Sequence, residues 1–231
     1  LLEEAGVEGV LSLEFDAELA GLSAEAFVTR YLVEGLKAKA VVVGRGFRFG
    51  AGGAGTVETL RELGAKHGFT VREVAPVLLD GAVVSTTLVR NALDAGDVVL
   101  ASEMLGRNHT TMGHIEHGLK IGRQIGFPTA NMERSDEGYL PLDGVYAGWL
   151  TVGIDRWPAA ISIGTNPTFE GVRGRQVEAY ALDQVGLDLY TKAATIEFGW
   201  RLRDTLKFDG LDPLLEQMGK DCQEARRLTE L

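Results

Sequence analysis

Apolar and polar positions follow two different patterns along the chain. Before about residue 100, short apolar runs alternate with stretches whose apolar side chains recur at helical spacing. This pattern is typical of strands joined by helices and predicts an α/β fold. After Arg107, strand-length segments rich in Val, Ile, Thr, Tyr and Trp follow one another without a long helix between them. The second part is therefore predicted to be a small β-barrel.

In the α/β part, strands are expected around Leu11 and Leu13, at residues 39–44 and at residues 69–77. Side chains that can accept a hydrogen bond from the first turn mark the expected helix starts. The predicted helices are one capped by Ser23, one over residues 56–67, one from Ser85 to Gly96 and one from Asp97 to Gly106.

The β-rich part is predicted to form strands near residues 109–116, 144–152, 157–163, 176–183 and 189–198. A final amphipathic helix is expected after Asp209 or Asp212, with Pro213 in its first turn. We place the division between the two predicted domains at residues 102–106, which gives domains over residues 1–102 and 106–231.

Charge and composition narrow the classes of protein. The 231 residues carry 33 acidic and 23 basic side chains, a formal net charge of −10, which disfavours a surface that coats DNA or RNA. No apolar run has the length of a membrane span, no signal peptide opens the chain, and the single Cys222 suits a reducing compartment. A cytoplasmic protein with small-molecule partners is expected. Because the first methionine is Met104, we expect the chain to begin inside a longer product or after processing.

A glycine-rich loop, Gly44-Arg-Gly-Phe-Arg-Phe-Gly-Ala-Gly-Gly-Ala-Gly55, connects a predicted strand to a predicted helix. Its backbone amides, its two arginines and the helix N-terminus can hold a phosphate group. A flexible connection without a ligand is the alternative. The glycine spacing differs from G-x-G-x-x-G, which disfavours an NAD-dependent oxidoreductase.

Residues 113–120 superficially match a P-loop, but Leu119 displaces the lysine and no Ser or Thr follows Lys120. Three histidines, His109, His114 and His117, lie within nine residues, which raises the question of a zinc site. No cysteine or carboxylate pattern completes such a site, so we expect surface or pocket histidines instead.

The loop Gly122-Arg-Gln-Ile-Gly-Phe-Pro-Thr-Ala-Asn131 is the strongest candidate for chemistry. Its glycines allow a ligand close to the backbone, and Lys120 and Arg123 supply positive charge. Thr129 and Asn131 are two positions apart, so an extended segment places both oxygens on one side, where they suit Mg²⁺ beside phosphates. The alternative is a hairpin in which Asn131 bonds its own backbone.

Glu178 lies on the polar face of a predicted strand, where Val177 and Ala179 alternate with it. A carboxylate at such a position is usually solvated. If that face lines a pocket, the same spacing lets Glu178 serve as a general base.

Several motifs of the second part resemble those of bacterial riboflavin kinases, and they cover most of residues 106–231 in the family's order. The matching segments are Gly126-Phe-Pro-Thr-Ala-Asn131, Leu140-Pro-Leu-Asp-Gly-Val-Tyr146, Ile163-Gly-Thr-Asn-Pro-Thr-Phe169, Val177-Glu178, Asp188-Leu-Tyr190 and Lys207-Phe-Asp209. The resemblance implies a six-stranded barrel with a C-terminal helix that phosphorylates riboflavin to FMN with Mg²⁺ and ATP.

The resemblance also implies residue roles. Glu178 matches the base that accepts the ribityl 5′-hydroxyl proton, Thr129 and Asn131 match the Mg²⁺ ligands, and Arg203 matches an arginine near the flavin. The implied ATP- and phosphate-binding residues are Gly118, Lys120, Gly122, Arg123, Gly126, Thr129 and Asn131.

The first hundred residues are similar to the adenylyltransferase half of the bifunctional riboflavin kinase/FMN adenylyltransferase (FAD synthetase) family, which implies an incomplete Rossmann-like domain and transfer of AMP from ATP to FMN. The matching segments are Val42-Val-Gly-Arg-Gly-Phe-Arg-Phe-Gly50 and Val84-Ser-Thr-Thr-Leu-Val-Arg90. The positions that match the family's adenylyltransferase motifs, called the carried-over residues below, are Gly44, Phe47, Gly50, Ser85, Thr86 and Arg90.

Some positions depart from the family pattern. The 231 residues contain no His-x-Gly-His motif, Gly46 replaces a usual polar residue and Lys120 replaces a usual glycine. We therefore expect these 231 residues to phosphorylate riboflavin but not to adenylylate FMN. The alternative from another class is a regulatory protein that binds flavin or nucleotide without turnover, but such a protein does not need Glu178.

Overall fold

The computed structural model describes residues 1–116, 126–133, 138–164, 175–184 and 186–229. The chain divides into two compact units, Leu1–Leu78 and Leu79–Leu231. The predicted domain boundary at residues 102–106 does not coincide with the division between these compact units. A division by compactness does not test a domain boundary, so the boundary stays a prediction. In the part of the chain that the structure describes, no helix is both long and apolar enough to cross a membrane.

The first unit is built on two parallel strands that a helix connects, which confirms the α/β prediction. Strand β1 pairs with β2 in a register that aligns Ala40 with Thr70 and Gly44 with Val74. The elements of this unit are α1 (Ala17–Gly21), α2 (Ala24–Phe27) with a π-helical continuation (Val28–Gly35), β1 (Ala40–Gly44), a 3₁₀ turn (Ala51–Gly53), α3 (Val57–His67) and β2 (Thr70–Val74).

The predicted helix starts of this unit are confirmed by their caps. The Ser23 side chain accepts a hydrogen bond from the Ala26 amide, and the Thr56 side chain accepts one from the Thr59 amide. The core is apolar, and its buried members are Val28, Phe49, Leu60, Leu63 and Phe69.

The expected strand around Leu11 and Leu13 is wrong. These residues have no regular secondary structure, and both side chains are exposed. Alternating apolar residues form a strand only where a neighbouring strand supplies hydrogen bonds, and among the described residues no strand pairs with this stretch.

A short two-stranded ribbon stands at the start of the second unit and consists of β3 (Leu78–Leu79) and β4 (Ala82–Val83). Leu78 is the last residue of the first unit. Helices α4 (Thr86–Asp94) and α5 (Val98–Leu105) follow the ribbon. Ser85 and Asp97 cap the two helices, as predicted. Both helices pack on the barrel that follows, because Ala92, Leu93, Val98 and Ala101 belong to the barrel's buried core.

Six antiparallel strands form a closed barrel in the order β10-β5-β6-β9-β8-β7, which confirms the predicted fold. The strands are β5 (His109–Glu116), β6 (Ala130–Met132), β7 (Gly144–Val152), β8 (Asp155–Gly164), β9 (Gln176–Ala181) and β10 (Ala193–Arg203). Closure leaves no free sheet edge, so every strand has two partners.

Three predictions about these strands need correction. Strand β6 was not expected, because its three residues are too few to show an alternating pattern. Strand β10 begins at Ala193 and not near residue 189, because Thr191 has a positive φ of 63° and turns the chain. Strand β9 ends at Ala181, since Asp183 has a φ of 60°.

Helix α6 (Leu211–Thr229) covers part of the outer surface of the barrel. Pro213 lies in its first turn as predicted, and Cys222 and Ala225 pack against Ala147 and Leu182. Burial raises the pKa of the Cys222 thiol to about 11, so this cysteine is an inert part of the core.

Gly148 of β7 provides a test of barrel packing. A Cβ at this position would lie 1.9 Å from the Glu197 carbonyl oxygen and 3.0 Å from Cδ1 of Ile161. We expect Gly148→Ala to destabilise the barrel by about 3 kcal/mol or more, because backbone atoms of β10 must move. The unfolding of the barrel can be followed in urea by fluorescence, since Trp149, Trp157 and Trp200 all lie in it.

Gly219→Ala in helix α6 is the matched control. A Cβ at Gly219 meets no atom within 4 Å, and alanine favours a helix over glycine by up to about 1 kcal/mol. The control is expected to leave stability unchanged or raised, and an equally small effect of Gly148→Ala would contradict the packing described here.

Candidate active site

The two faces of the strands separate the barrel core from the candidate site. Val177 and Ala179 of β9 are buried in the core, whereas Glu178 between them lies on the outer face and is half-buried. On β6, Ala130 and Met132 likewise face the core, and Asn131 faces outward.

Strand pairing aligns the outward residues of all six strands into one row. Residues that are directly opposed in neighbouring antiparallel strands share a face of the sheet. In order, the row is Arg203, Val145, Ser162, Glu178, Asn131 and Glu116. Three residues that the sequence resemblance singled out, Arg203, Glu178 and Asn131, therefore stand in one line, which we call the cross-strand row.

Glu178 is in direct contact with the segment that precedes β6. The Thr129 hydroxyl donates a hydrogen bond of 3.2 Å to Oε2 of Glu178, and Nδ2 of Asn131 donates one of 3.4 Å to the Thr129 carbonyl oxygen. All three side chains are half-buried. A carboxylate that can accept a proton thus lies beside two side-chain oxygens that suit a hard cation.

The side-chain oxygens of Thr129 and Asn131 fit a magnesium ion whose remaining ligands are phosphate oxygens and water molecules. Thr129 offers a hydroxyl oxygen, and the amide of Asn131 uses its nitrogen in the bond to Thr129, which directs its oxygen elsewhere. Within the described ranges, no group of three His, Cys, Asp or Glu side chains could hold a metal alone. Such a site suits Mg²⁺ that arrives with phosphate oxygens and keeps several waters.

Arg203, at the other end of the cross-strand row, anchors helix α6. Its guanidinium donates to the Asp221 carboxylate through Nε at 2.9 Å and Nη2 at 2.6 Å, and Gln217 donates to the same carboxylate at 2.9 Å. The Asp221 side chain is only 9% exposed and that of Arg203 only 18%. The predicted role of Arg203 near the flavin stays a prediction, whereas its contact with Asp221 is structural.

The carried-over residues of the first unit lie on and after β1. Gly44 ends the strand, Phe47 stacks on Phe49 with ring centroids 5.7 Å apart, and Gly50 has a φ of 73°. A Cβ at Gly50 would lie 2.7 Å from the Ala24 amide nitrogen, so the loop requires glycine at this position.

The carried-over residues of the second unit belong to helix α4. Ser85 caps the helix, Thr86 is its first residue, and the Arg90 guanidinium lies over the Tyr139 ring at 5.6 Å. The Tyr139 hydroxyl donates to both carboxylate oxygens of Asp94, at 2.7 and 2.9 Å, and this bond raises the pKa of Tyr139.

Two of the three clustered histidines, His109 and His114, lie in the described part of the chain. His109 is buried, stacks on Phe198 and bonds through Nε2 to the Tyr139 carbonyl at 2.5 Å, so that this nitrogen carries the proton. Burial lowers the pKa of His109. His114 is exposed on β5, and the described residues around both contain no metal-binding cluster.

Some predicted residues lie outside the described residues, namely Gly118, Lys120, Gly122, Arg123 and His117. Gly126 is described and has a φ of 86°, which a glycine adopts without strain.

Sequence reasoning missed Ser162, the row neighbour of Glu178 on β8. Its strand was predicted, but the pairing that places it beside Glu178 depends on contacts between distant segments.

Comparisons with known proteins find relatives that span both parts of the chain. The family model described as riboflavin kinase matches residues 105–229, and the model described as FAD synthetase matches residues 1–88. The bifunctional riboflavin kinase/FMN adenylyltransferase of Pseudomonas fluorescens is 40% identical over 223 residues, which are 96% of this chain and 71% of that protein. The protein of the same description from Escherichia coli K12 is 37% identical over 226 residues, 97% of this chain and 71% of that protein.

A crystal structure described as a macrolide-efflux protein from Streptococcus pneumoniae is also similar. It aligns with a TM-score of 0.85 and 32% identity, over 97% of this chain and 72% of that chain.

The contact between Arg203 and Asp221 can be tested by removing one partner. Arg203→Ala leaves a buried carboxylate unpaired, and we expect a loss of about 3–5 kcal/mol in barrel stability, measured by tryptophan fluorescence in urea. The double variant Arg203→Met/Asp221→Leu is expected to recover most of this loss, because neither charge remains buried.

An exposed pair on the same helix provides the control. Arg227 and Glu224 are in contact at 2.5 Å, but their side chains are 67% and 45% exposed. Arg227→Ala is expected to cost less than about 1 kcal/mol. If Arg203→Ala costs no more than this control, Arg203 does not anchor helix α6.

Proposed function

The chain belongs to the family of bifunctional riboflavin kinase/FMN adenylyltransferases, and on this premise we propose that it transfers the γ-phosphoryl group of ATP to riboflavin, giving FMN and ADP. One observation supports the kinase reaction above all others. Glu178 lies in register with Asn131 and in hydrogen-bond contact with Thr129, on a barrel whose residues match the riboflavin kinase model.

In this reaction Glu178 acts as the general base. Its carboxylate accepts the proton of the ribityl 5′-hydroxyl, the freed oxygen forms a bond to the γ-phosphorus, and the bond between the γ-phosphorus and the bridging oxygen of ADP breaks. The Thr129 hydroxyl, 3.2 Å from Oε2, holds the carboxylate in place. Positioning of this kind is the main requirement of phosphoryl transfer, which needs little covalent chemistry from the protein.

Thr129 and Asn131 are the residues that would hold Mg²⁺ together with the phosphates of ATP. The bound ion supplies charge neutralisation at the β- and γ-phosphoryl oxygens. Gly118, Lys120, Gly122, Arg123 and Gly126 are proposed to surround the same phosphates, as the family resemblance implies.

A flavin-binding regulatory protein without turnover is the less favoured alternative. A protein that only binds its ligand needs no carboxylate beside its metal ligands, whereas Thr129 bonds to Glu178 directly in this chain.

The base is tested by Glu178→Gln, which keeps the shape of the side chain and removes its ability to accept a proton. With riboflavin, ATP and Mg²⁺, we expect the unaltered protein to form FMN and ADP, as separated by chromatography. The variant is expected to lose about 10²- to 10⁴-fold in kcat, with the KM for ATP nearly unchanged.

Glu197→Gln is the matched control for the base. Glu197 is also a half-buried strand carboxylate of the barrel, but it bonds to Arg156 at 2.8 and 3.1 Å and lies outside the cross-strand row. This variant should keep kcat within about twofold. Near-normal turnover of Glu178→Gln would exclude Glu178 as the base, and failure of the unaltered protein to form FMN would refute the proposed function.

The metal ligands are tested by Asn131→Ala, with initial rates measured against free Mg²⁺ at constant ATP. Loss of one oxygen ligand is expected to raise the half-saturating Mg²⁺ concentration by about tenfold or more. Asn91→Ala, at an exposed position of helix α4, is the control and should not change it. An unchanged Mg²⁺ dependence of Asn131→Ala would show that Asn131 does not bind the metal.

A further inference from the structure

We propose that Ser162 binds a hydroxyl group of the substrate's polyol chain beside the hydroxyl that reacts at Glu178. This inference rests on the proposed function and adds to it a substrate-binding residue on β8. It follows from strand register, from the surroundings of Ser162 and from the position of the metal ligands.

Register brings Ser162 next to the base. Ser162 of β8 is directly opposed to Glu178 of β9, and Glu178 is in turn opposed to Asn131 of β6. Directly opposed residues of antiparallel strands share a face, with Cβ atoms about 4.5–5.5 Å apart. The carboxylate of Glu178 is therefore flanked by Asn131 on one side and by Ser162 on the other.

Along β8, Ser162 is a polar outward residue between two outward positions that carry no polar side chain. The neighbouring outward positions on β8 are Ala160 and Gly164, and the opposed residue on β7 is Val145. Ser162 is half-buried. A half-buried hydroxyl group beside a base is well placed to bond a polar group of the ligand.

The position of the metal ligands decides which part of the ligand reaches Ser162. Thr129 and Asn131 lie on the β6 side of Glu178, so the phosphates of ATP belong on that side. The hydroxyl that Glu178 deprotonates must lie between the phosphates and the rest of its own molecule. The rest of the acceptor therefore extends toward β8, about 4.8 Å away, where Ser162 stands.

A polyol chain carries hydroxyl groups on successive carbons. When its terminal hydroxyl lies at Glu178, a hydroxyl further along the chain can reach the neighbouring strand. A bond from Ser162 to that group favours binding of flavins with a hydroxylated chain over flavins without one. When a flavin without such a chain is bound, the ligand offers no partner to the Ser162 hydroxyl.

The test compares Ser162→Ala with the unaltered protein for two ligands. We expect the KM for riboflavin to rise about 3- to 10-fold, the cost of one neutral hydrogen bond, with kcat within about twofold. The inhibition constant of a flavin that carries a methyl group in place of the ribityl chain should not change, because this ligand has no hydroxyl to lose. Ser162→Thr keeps a hydroxyl and should restore most of the affinity for riboflavin.

Thr151→Ala is the matched control. Thr151 is a half-buried outward hydroxyl on β7, but it is opposed to Arg156 and Thr195 and not to a residue of the cross-strand row. Its KM for riboflavin should equal that of the unaltered protein.

Two results would overturn the inference. An unchanged KM for riboflavin in Ser162→Ala would show that the serine makes no contact with substrate. An equal loss of affinity for the methyl flavin would show a general disturbance of the site. Both differ from failure of the proposed function, in which the unaltered protein neither forms FMN nor quenches riboflavin fluorescence on binding.

Discussion

The antiparallel register of the closed barrel is the constraint on which the site depends. Because each strand has two partners, the position of any one strand fixes the residues that oppose it on both sides. The outward residues Asn131, Glu178 and Ser162 come from segments far apart in the chain, and pairing alone brings them side by side. A shift by one residue in β9 would turn Glu178 into the core and remove the base from the site.

Packing inside and outside the barrel keeps this register in place. Inside, Gly148 allows β7 and β10 to approach so closely that a methyl group does not fit. Outside, Arg203 and Asp221 bind helix α6 to β10 through a buried ion pair. Since Arg203 belongs to the same row as Glu178, the contact that anchors the helix involves one end of the row. Rigidity of this kind suits a reaction that depends on positioning.

The sequence predicts local elements well because their signals are local. Strand β7 matches the expected residues 144–152, and helix α3 begins after the cap that Thr56 provides. The three-residue strand β6 was missed because it shows no periodicity, and the expected strand near Leu11 did not form, since alternation alone supplies no partner.

The site was predicted only as separate pieces. Family resemblance pointed to Thr129, Asn131 and Glu178. From the residue pattern alone, a hairpin without a metal and a solvated carboxylate on a strand were open alternatives. Their contact, and the presence of Ser162 beside them, depends on pairing between distant strands, which no local pattern in one sequence reveals. For the same reason the bond of Arg203 to Asp221 could not be foreseen.

We infer that the cross-strand row places the reacting hydroxyl at Glu178, between the metal ligands and Ser162. A crystal structure with ADP, Mg²⁺ and riboflavin tests it most directly. We expect the terminal ribityl hydroxyl about 3 Å from the Glu178 carboxylate, with the metal bound at Thr129 and Asn131. Riboflavin bound away from the row, with Glu178 in contact only with water, would contradict it.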